Sequence, residues 1–182
     1  MNSEVIWVNE KDEVIGYGEK IETHRIEQLH RAFSLFIIDE QGKILIQRRA
    51  KGKYHSGGLL SNACCSHPYK GESWKHALQR CMIDELGATD SFHDLDLHIG
   101  KIDDHLEFKG KFIYYSKYKD LSEHEYDHVF IYYCDEDYKK RIKLNKEEVE
   151  EIYWFTKEEL QEKLKDPSLF TTWFPLAYQY ID

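Results

Sequence analysis

The sequence has no apolar run long enough to cross a bilayer. A membrane-spanning helix needs about 20 consecutive apolar residues, and the 182-residue sequence contains no such stretch. Residues 1–13 also lack the basic and then apolar profile of a secretory signal. We therefore expect a cytoplasmic protein with no membrane partner.

An excess of positive charge is also missing. Lys and Arg number 25 against 34 Asp and Glu, which gives a formal net charge of -9. A nucleic-acid-binding domain needs a basic surface to neutralise phosphates, so this balance argues against a nucleic-acid partner. A small phosphorylated ligand is still compatible with it, because a few basic side chains suffice to line one pocket.

Cysteine is scarce and irregularly spaced. The four cysteines do not form the framework of a disulfide-rich domain, so we expect reduced thiols at Cys64, Cys65, Cys81 and Cys134. At this length the chain can bury a core without disulfide support. We expect one domain over residues 1–182.

Short apolar runs between polar turns predict strands. The predicted strands are residues 4–8, 14–17, 30–38, 43–48, 97–102, 111–118, 126–134 and 151–155. Helices are predicted at residues 73–86, 156–165 and 170–180. Strands on both sides of a central helix indicate an α+β fold, in which a mixed sheet lies between helices as a single-domain α/β/α sandwich.

The helix predicted at residues 73–86 carries a carboxylate on its apolar face. At about 100° per residue, Trp74, Leu78 and Cys81 form one stripe, and Glu85 falls in the middle of it. A buried carboxylate is costly unless it meets a cation, accepts hydrogen bonds or takes up a proton. The alternative is that Glu85 lies at the helix end and turns outward.

The same segment resembles the signature of Nudix proteins, G-x5-E-x7-R-E-U-x-E-E-x-G-U, in which U is apolar. The matching residues are Glu72, Arg80, Met82, Glu85, Gly87 and Ala88, and Asp84 is a mild change. Ser66 replaces the first glycine, and Cys81 replaces a glutamate with which Nudix hydrolases bind metal. The resemblance implies a Nudix-like scaffold whose hydrolytic chemistry is disabled.

Five further motifs resemble those of type I isopentenyl-diphosphate isomerases. In order between residues 20 and 173 they are KIETH with HRAFS, QRRAKGK, SNACCSHP, SEHEYDH and FTTWF. Each motif is weak alone, but five in the right order on a degenerate Nudix helix form a specific combination. The resemblance implies an isomerase that converts isopentenyl diphosphate to dimethylallyl diphosphate through a tertiary carbocation, the first step feeding isoprenoid biosynthesis.

The alternation of side chains along a strand predicts which residues of these motifs point to the same side. In an extended segment Glu123 and Glu125 point to one side, and Cys65 and His67 likewise share a face. Two carboxylates that point together repel each other unless a cation or a proton lies between them. Taken alone, the glutamates could belong to a solvated turn. Cys65 with His67 could equally be half of a zinc site or a pair of buried residues.

Histidines from separate segments would complete a mixed imidazole and carboxylate sphere, which suits Mn²⁺, Fe²⁺, Zn²⁺ or Mg²⁺. The isomerase resemblance implies Mg²⁺ or Mn²⁺ at His24, His30, His67, Glu123 and Glu125. It also implies a second Mg²⁺, brought in with the diphosphate, near Glu85, and no flavin is expected. Any single one of the ten histidines is more often a surface or core residue than a ligand.

The resemblance further implies roles around the substrate. Glu125 would deliver a proton to the alkene, with Tyr114 as its partner, and Cys65 as a thiolate would take a proton from the opposite face. Trp173 would place its π face against the carbocation. Neighbouring Tyr115 and Tyr118 are alternatives to Tyr114. The predicted diphosphate ligands are Lys20, Arg49, Lys53 and Arg80; for the two lysines, surface solvation is the alternative.

Two other functions stay open at this point. One is a Nudix hydrolase of nucleoside or prenyl diphosphates, and the other is a regulatory domain that binds metal or nucleotide and leaves it unchanged. Cys81 in the place of a glutamate, together with the pairs Cys65/His67 and Glu123/Glu125, argues against the hydrolase. We expect a small prenyl diphosphate as partner and a monomer or weak homodimer.

Overall fold

The computed structural model describes residues 4–53, 55–92 and 105–182. Within these ranges one sheet contains the strands β1 (Glu4–Val8), β2 (Val14–Glu19), β3 (His30–Asp39), β4 (Ile44–Arg49), β5 (Leu60–Asn62), β6 (Cys64–Ser66), β7 (Leu106–Lys117), β8 (Ser122–Cys134) and β9 (Val149–Phe155). The α-helices of the same ranges are α1 (Lys20–Arg25), α2 (Trp74–Leu86), α3 (Glu136–Arg141), α4 (Lys157–Lys163) and α5 (Phe174–Tyr178). None of these helices is long and apolar enough to cross a membrane.

β3 is the central strand of this sheet. It pairs in parallel with β8 along its whole length, from His30 opposite Glu125 to Asp39 opposite Cys134. Its pairings with β1, β4 and β6 are antiparallel. Its apolar run is nearly continuous, as is typical of a strand that is buried on both faces.

Different helices cover the two faces of the sheet. Leu35 and Ile37 of β3 belong to a core that includes the buried face of α2 and Tyr138 of α3. Phe36, which lies between them, belongs to a second core with Leu160 of α4 and with α5. Successive side chains of a strand point to opposite faces, so β3 contributes to both cores. The predicted α+β sandwich around a mixed sheet is confirmed.

Both ends of α2 are fixed by local chemistry. The Ser73 side chain accepts a hydrogen bond from the backbone N–H of His76 at the start of the helix. Gly87 ends it with a φ of 66°, and a Cβ there would lie 2.4 Å from the carbonyl oxygen of Lys143. Glu85, in the last turn, is only 9% exposed. The prediction of a buried carboxylate is therefore confirmed, and the alternative of an outward-turned side chain is wrong.

Several other elements differ in extent from the prediction. The strand predicted at 97–102 lies outside the described residues. β7 and β8 start earlier than predicted, because their hairpin pairs from Leu106 opposite Tyr132 to Lys117 opposite Ser122. The helix predicted at 170–180 is reduced to α5, since Pro175 lies in its first turn, where proline can begin a helix but not continue one. α1 and α3 were not predicted, because six residues are too few to show helical periodicity.

Candidate functional site

A polar cavity lies beside the amino-terminal ends of β3 and β8. Its walls include most of the predicted site residues: Lys20, Arg49, Lys53, Cys65, His67, Tyr114, Glu123, Glu125 and Trp173. The parallel pairing of β3 with β8 brings His30 opposite Glu125 at this end of the sheet. Segments distant in sequence therefore contribute to one site.

Three imidazoles and a carboxylate meet at this cavity. The ligand-type atoms of His24, His30, His67 and Glu125 lie within 4.8 Å of one another. His67 Nε2 is 2.8 Å from Glu125 Oε1, and the Nε2 atoms of His24 and His30 are 3.8 and 3.7 Å from the same oxygen. All four side chains are buried.

Backbone carbonyls orient two of the rings. Nδ1 of His24 lies 2.6 Å from the carbonyl oxygen of Lys20, and Nδ1 of His30 lies 2.8 Å from that of Gln28. Metal-binding histidines commonly use such a bond at one nitrogen to present the other as a ligand. The Nε2 atoms of both rings are buried without a hydrogen-bond partner, which is costly unless a further atom binds them.

These residues fit a divalent cation. Burial alone would raise the pKa of Glu125, but His67, His24 and His30 outweigh it and hold that pKa well below its ordinary value. Burial lowers the pKa of His67 against the pull of the Glu125 carboxylate, and the neutral ring that burial favours is the form that binds a metal. An ionised carboxylate among imidazoles with unused nitrogens is a ligand set for a divalent metal ion.

Glu123 faces the same cavity as Glu125, as the alternation predicted. Its Oε2 accepts a hydrogen bond from the Tyr118 hydroxyl at 3.1 Å and lies 3.2 Å from the Tyr114 hydroxyl, and its Oε1 is 2.9 Å from His55 Nε2. Glu123 lies outside the group of four clustered ligand atoms. Its role as a fifth metal ligand stays a prediction.

Among the neighbouring tyrosines, Tyr114 is the one that contacts both carboxylates. Its hydroxyl donates to Glu125 Oε2 at 2.6 Å and lies 3.2 Å from Glu123 Oε2. Tyr118 reaches Glu123, and Tyr115 is 50% exposed. The geometry therefore favours Tyr114 over its two neighbours as the partner of Glu125.

Cys65 lies on β6, where polar side chains surround its sulfur, and the Ser61 hydroxyl is 3.6 Å from it. Its thiol donates to Asn62 Oδ1 at 3.0 Å, and the indole Nε1 of Trp173 donates to its sulfur at 3.0 Å. Burial raises the pKa of Cys65 far above its ordinary value, and the nearby Asp127 raises it further. Both effects favour the neutral thiol over the thiolate that the resemblance implies, and the role of Cys65 as a base stays a prediction.

Trp173 is 3% exposed, and it makes contacts besides the one that was predicted for its π face. Besides the hydrogen bond to Cys65, its ring has the guanidinium carbon of Arg49 at 5.3 Å from the ring centre. The rings of Tyr114 and His55 lie 6.5 and 6.1 Å away. The indole N–H therefore links Trp173 to the predicted base, a contact that sequence reasoning missed.

Basic residues also line the cavity. Arg49 is 7% exposed, and its Nε is buried without a hydrogen-bond partner. Lys53 forms an ion pair with Glu148, and its side chain is 19% exposed. Burial lowers the pKa of Lys20, and the charge of Lys53 lowers it further. The position of the two lysines in the cavity wall argues against the alternative that they are solvated surface residues.

Arg80 is engaged away from the cavity wall. Its Nε and Nη2 donate to the Glu72 carboxylate at 2.8 and 2.9 Å, and Nη2 also donates to the carbonyl oxygen of His67 at 2.8 Å. Its guanidinium carbon lies 4.2 Å from the ring centre of Tyr69. These contacts use Nε and Nη2 and hold the backbone at His67. The role of Arg80 as a diphosphate ligand stays a prediction.

Glu85 is likewise absent from the cavity wall. Its Oε2 accepts a hydrogen bond from Gln47 Nε2 at 2.8 Å, and the Cys81 thiol lies 3.4 Å from its Oε1. Burial raises the pKa of Glu85. Mg²⁺ selects oxygen ligands and keeps several waters. The second Mg²⁺ near Glu85, which would arrive with the diphosphate, stays a prediction.

Sequence reasoning missed two ionisable residues of the cavity wall, Asp127 and His55. Asp127 continues the alternation of Glu123 and Glu125 along β8, so the signal was present in the sequence. It accepts a hydrogen bond from the Ser34 hydroxyl at 2.7 Å, and burial raises its pKa well above its ordinary value. His55 lies in a glycine-rich loop without periodicity, so only the structure could find it.

We expect His55→Ala to weaken metal binding at the cavity. His55 stacks on Tyr118 with ring centres 4.4 Å apart and supports Glu123, and loss of a partner that orients a ligating carboxylate lowers metal affinity about 10- to 100-fold. Calorimetric titration with Mn²⁺ measures the effect. His124→Ala is the matched control, because Nδ1 of His124 contacts the Glu27 carbonyl. An equal loss in both variants would contradict the prediction.

Known proteins resemble this chain over its full length. The NUDIX domain family matches residues 28–174. An isopentenyl-diphosphate Delta-isomerase of Photobacterium profundum is 38% identical over 188 residues, which cover 100% of this chain and 95% of that protein. A protein of the same description from Streptomyces griseus subsp. griseus is 39% identical over 169 residues, 92% of this chain and 77% of that protein.

Solved structures agree on the fold. The crystal structure of a Deinococcus radiodurans protein superposes with a TM-score of 0.68 at 19% identity and covers 97% of this chain and 96% of that one. A MutT protein from Methanosarcina mazei gives a TM-score of 0.58 at 18% identity, with 84% and 92% coverage. From the matched domain and the full-length relatives it follows that the chain belongs to the type I isopentenyl-diphosphate isomerase family, within the Nudix superfamily.

Proposed function

We propose that the protein converts isopentenyl diphosphate to dimethylallyl diphosphate by adding one proton to the alkene and removing another two bonds away. The observation that carries the proposal is a thiol, Cys65, and a carboxylate, Glu125, in the wall of one cavity beside Trp173. Relatives that cover the whole chain carry this activity in their names. The proposed substrate is a small prenyl diphosphate.

The environment of Glu125 suits a strong acid, and the environment of Cys65 suits a strong base. An alkene is a poor base, so its protonation needs a strong acid. The low pKa of Glu125 makes its carboxylic acid, once formed, a strong acid. The raised pKa of Cys65 makes its thiolate, once formed, a strong base. At rest these shifts favour the thiol and the carboxylate, so forming the thiolate and the carboxylic acid costs free energy.

The proton balance follows from these states. Before turnover a proton leaves Cys65 and one arrives at Glu125, so the pair is thiolate and carboxylic acid. Glu125 then protonates the terminal alkene carbon, and a tertiary carbocation forms. The Cys65 thiolate removes a proton from the carbon next to the cation, and the double bond moves. The pair returns to the thiol and carboxylate of the resting structure.

Tyr114 assists at Glu125. Burial and the charges of Glu123 and Glu125 raise the pKa of Tyr114 well above its ordinary value, so its hydroxyl stays protonated. It donates to Glu125 at 2.6 Å and can pass a proton along that contact. We assign Tyr114 as the hydrogen-bonding partner or relay.

The remaining cavity residues bind metal and diphosphate. We propose Mg²⁺ or Mn²⁺ held by His24, His30, His67 and Glu125, with Glu123 as a further ligand; a bound cation withdraws charge from the Glu125 carboxyl group and strengthens it as an acid. The diphosphate would be bound by basic side chains, whose fixed charges match phosphate oxygens. These are Lys20, Arg49 and Lys53.

Isomerisation in D₂O tests the proposal. The metal-loaded protein, without flavin, is incubated with isopentenyl diphosphate, and the products are analysed by NMR. We expect dimethylallyl diphosphate that carries deuterium, because the added proton comes from a group that exchanges with solvent. An unlabelled product would exclude proton transfer, and free alcohol with pyrophosphate would identify a hydrolase instead.

Replacement of Trp173 separates its two contacts. Trp173→Phe and Trp173→Leu both lose the N–H that donates to Cys65, so the difference between them isolates the aromatic ring. A desolvated cation–π contact of about 2 kcal/mol corresponds to about a 30-fold change in rate. We expect activity to decrease from the wild-type protein to Trp173→Phe and then to Trp173→Leu. The difference between the two variants should appear in kcat more than in KM, because the positive charge exists only near the transition state.

The pH profiles of the same variants report the N–H contact. A donor to the sulfur stabilises the thiolate, so its loss raises the pKa of Cys65 and moves the rising limb of activity to higher pH in both variants. Steady-state kinetics on folded, metal-loaded protein measure both effects. Equal kcat for Phe and Leu would reduce Trp173 to a residue that excludes water.

A further inference from the structure

A tryptophan on β1 links the two segments that supply His24 and His30. In the sheet, Trp7 lies directly opposite His30 of β3 on one side and directly opposite Gly16 of β2 on the other. Residues that face each other across paired strands point their side chains to the same face of the sheet. The Trp7 indole therefore shares a face with the His30 imidazole. The His24 ring of α1 lies over the same face, with its centre 4.8 Å from that of His30.

Two glycines of β2 make room for the indole. A Cβ at Gly16 would lie 2.9 Å from Cε3 of Trp7, and a Cβ at Gly18 would lie 2.2 Å from Cζ2. Both distances are shorter than the separation at which carbon atoms attract each other, about 3.5 to 4.0 Å. Neither glycine has a positive φ, so the backbone at these positions would accept other residues. The space that the ring occupies is what requires glycine.

The indole N–H of Trp7 reaches α1. Trp7 Nε1 donates to Thr23 Oγ1 at 2.9 Å, and that hydroxyl donates to the carbonyl oxygen of Glu19 at 2.8 Å. The hydroxyl has one proton, so its donation to Glu19 leaves the oxygen to accept the indole N–H. Thr23 is 0% exposed. Loss of either partner would therefore leave an unsatisfied polar group inside the protein, which costs more than the hydrogen bond itself contributes.

α1 depends on such contacts because it has only six residues, and an isolated helix of that length is unstable in water. His24 directly follows Thr23 and is 1% exposed, while Lys20 begins the helix and lies in the cavity wall. A displacement of α1 would therefore move a proposed metal ligand and a proposed diphosphate ligand together. The Ser122 hydroxyl also holds the helix, by donating to the carbonyl oxygen of His24 at 3.0 Å. Loss of the Trp7 contact should therefore loosen α1 without releasing it.

We propose that Trp7 is a positioning residue of the metal site: its indole, seated on Gly16 and Gly18, holds α1 so that His24 presents Nε2 to the cation. Trp7 lies outside the cavity wall and acts through Thr23. Groups that orient a metal ligand contribute to metal affinity although they do not touch the metal. The inference rests on metal binding by the histidine cluster, which is part of the proposed function.

Removal of the indole N–H tests this role. Trp7→Phe keeps an aromatic ring on the two glycines and removes the donor, so α1 should occupy its binding position in a smaller fraction of the molecules. The apparent dissociation constant for a metal rises as that fraction falls. We expect the Co²⁺ affinity of the full-length protein to fall about 2- to 10-fold, the range for one hydrogen bond. Titration followed by the visible absorption of bound Co²⁺ measures the effect. Trp154→Phe, the same change on β9, is the matched control and should bind Co²⁺ like the wild-type protein.

Variants of Thr23 separate positioning from packing. Thr23→Val keeps the shape of the side chain and removes the hydroxyl, so we expect at least the fall seen for Trp7→Phe. Thr23→Ser keeps the hydroxyl and should retain nearly the wild-type affinity. Because Trp7 and Thr23 share one hydrogen bond, Trp7→Phe combined with Thr23→Val should cost little more than Thr23→Val alone. The two Thr23 variants give the test independently if Trp7→Phe fails to fold.

A change at Gly18 tests the seat of the indole. The added Cβ of Gly18→Ala occupies the position of the ring, so the ring must move and the Co²⁺ affinity should fall at least as far as in Trp7→Phe. Gly52→Ala is the matched control, because a Cβ there meets no atom within 4 Å. Equal affinities of the two alanine variants would contradict a role for the seat.

A His24→Ala background shows whether Trp7 acts through His24. With that ligand removed, Trp7→Phe should leave the remaining Co²⁺ affinity unchanged. The proposal is overturned if Trp7→Phe weakens binding equally in this background. It is also overturned if Trp7→Phe binds Co²⁺ as tightly as the wild-type protein while its melting temperature falls, since Trp7 would then only pack. A wild-type protein that binds no Co²⁺ would instead overturn the metal site of the proposed function, an outcome distinct from the failure of Trp7 alone.

Discussion

Replacement of Glu125 by glutamine is expected to abolish turnover and to lower metal content together. The amide cannot donate a carboxyl proton, and loss of a positioned acid costs about 10²- to 10⁴-fold in rate. Glu125 Oε1 is also the common neighbour of His24, His30 and His67, at 3.8, 3.7 and 2.8 Å. A neutral amide in that position is a weaker ligand than a carboxylate.

Two measurements on one preparation check this result. Bound Mn²⁺ is counted after desalting, and kcat is measured at saturating Mn²⁺, so that loss of metal and loss of the acid are separated. Glu123→Gln is the control: it leaves the Glu125 carboxyl intact, so we expect a weaker metal affinity and a smaller fall in kcat. A Glu125→Gln protein that isomerises at the wild-type rate once saturated with metal would show that the proton comes from another group.

Local geometry explains which parts of the site could be predicted without a structure. Glu123 and Glu125 face one cavity because a strand has a period of two, and that period can be read from the sequence. The same period of two places Asp127 in the wall of that cavity. Glu85 was predicted to be buried from the helical period, and the closely packed end of α2 at Gly87 confirms it.

Long-range pairing explains what local geometry could not provide. His30 meets Glu125 because β3 and β8 pair in parallel, although almost a hundred residues separate them. Nothing in the spacing of the histidines predicts that pairing, so their convergence was inferred from family resemblance alone. Arg80 shows another limit: its place in the motif predicted a diphosphate contact, and only the structure shows that Glu72 pairs two of its nitrogens.

Protonation states were the least predictable feature, because they depend on burial and on neighbours from several segments. The family resemblance implied a thiolate at Cys65. Its sulfur is instead enclosed by β6, Trp173 and Asn62, and Asp127 adds an unfavourable charge. The same burial that stabilises the thiol makes its thiolate a stronger base. The cost of forming that thiolate is therefore part of the barrier that Cys65 imposes on the reaction.

Cys65→Ser is expected to abolish turnover while metal content stays normal. Serine keeps the size of the side chain and can keep the hydrogen bonds to Asn62 and from Trp173. Its hydroxyl is a far weaker acid than a thiol, so the base required for the second proton transfer does not form. Loss of a positioned base lowers the rate about 10²- to 10⁴-fold. Cys65 lies outside the clustered ligand atoms of the histidine site, so Mn²⁺ should still bind.

The comparison with Cys134→Ser makes this result specific to the cavity. Cys134 is 3% exposed and lies at the far end of β8, opposite Asp39 of β3, so it offers the same chemical change in a buried position without a cavity contact. We expect its kcat, KM and Mn²⁺ content to match the wild-type protein. For Cys65→Ser we expect kcat to fall and KM to change little, because the proposed ligands of the diphosphate are Arg49 and the lysines. If Cys65→Ser loses Mn²⁺ instead, Cys65 is a metal ligand, and the base must be sought elsewhere in the cavity wall.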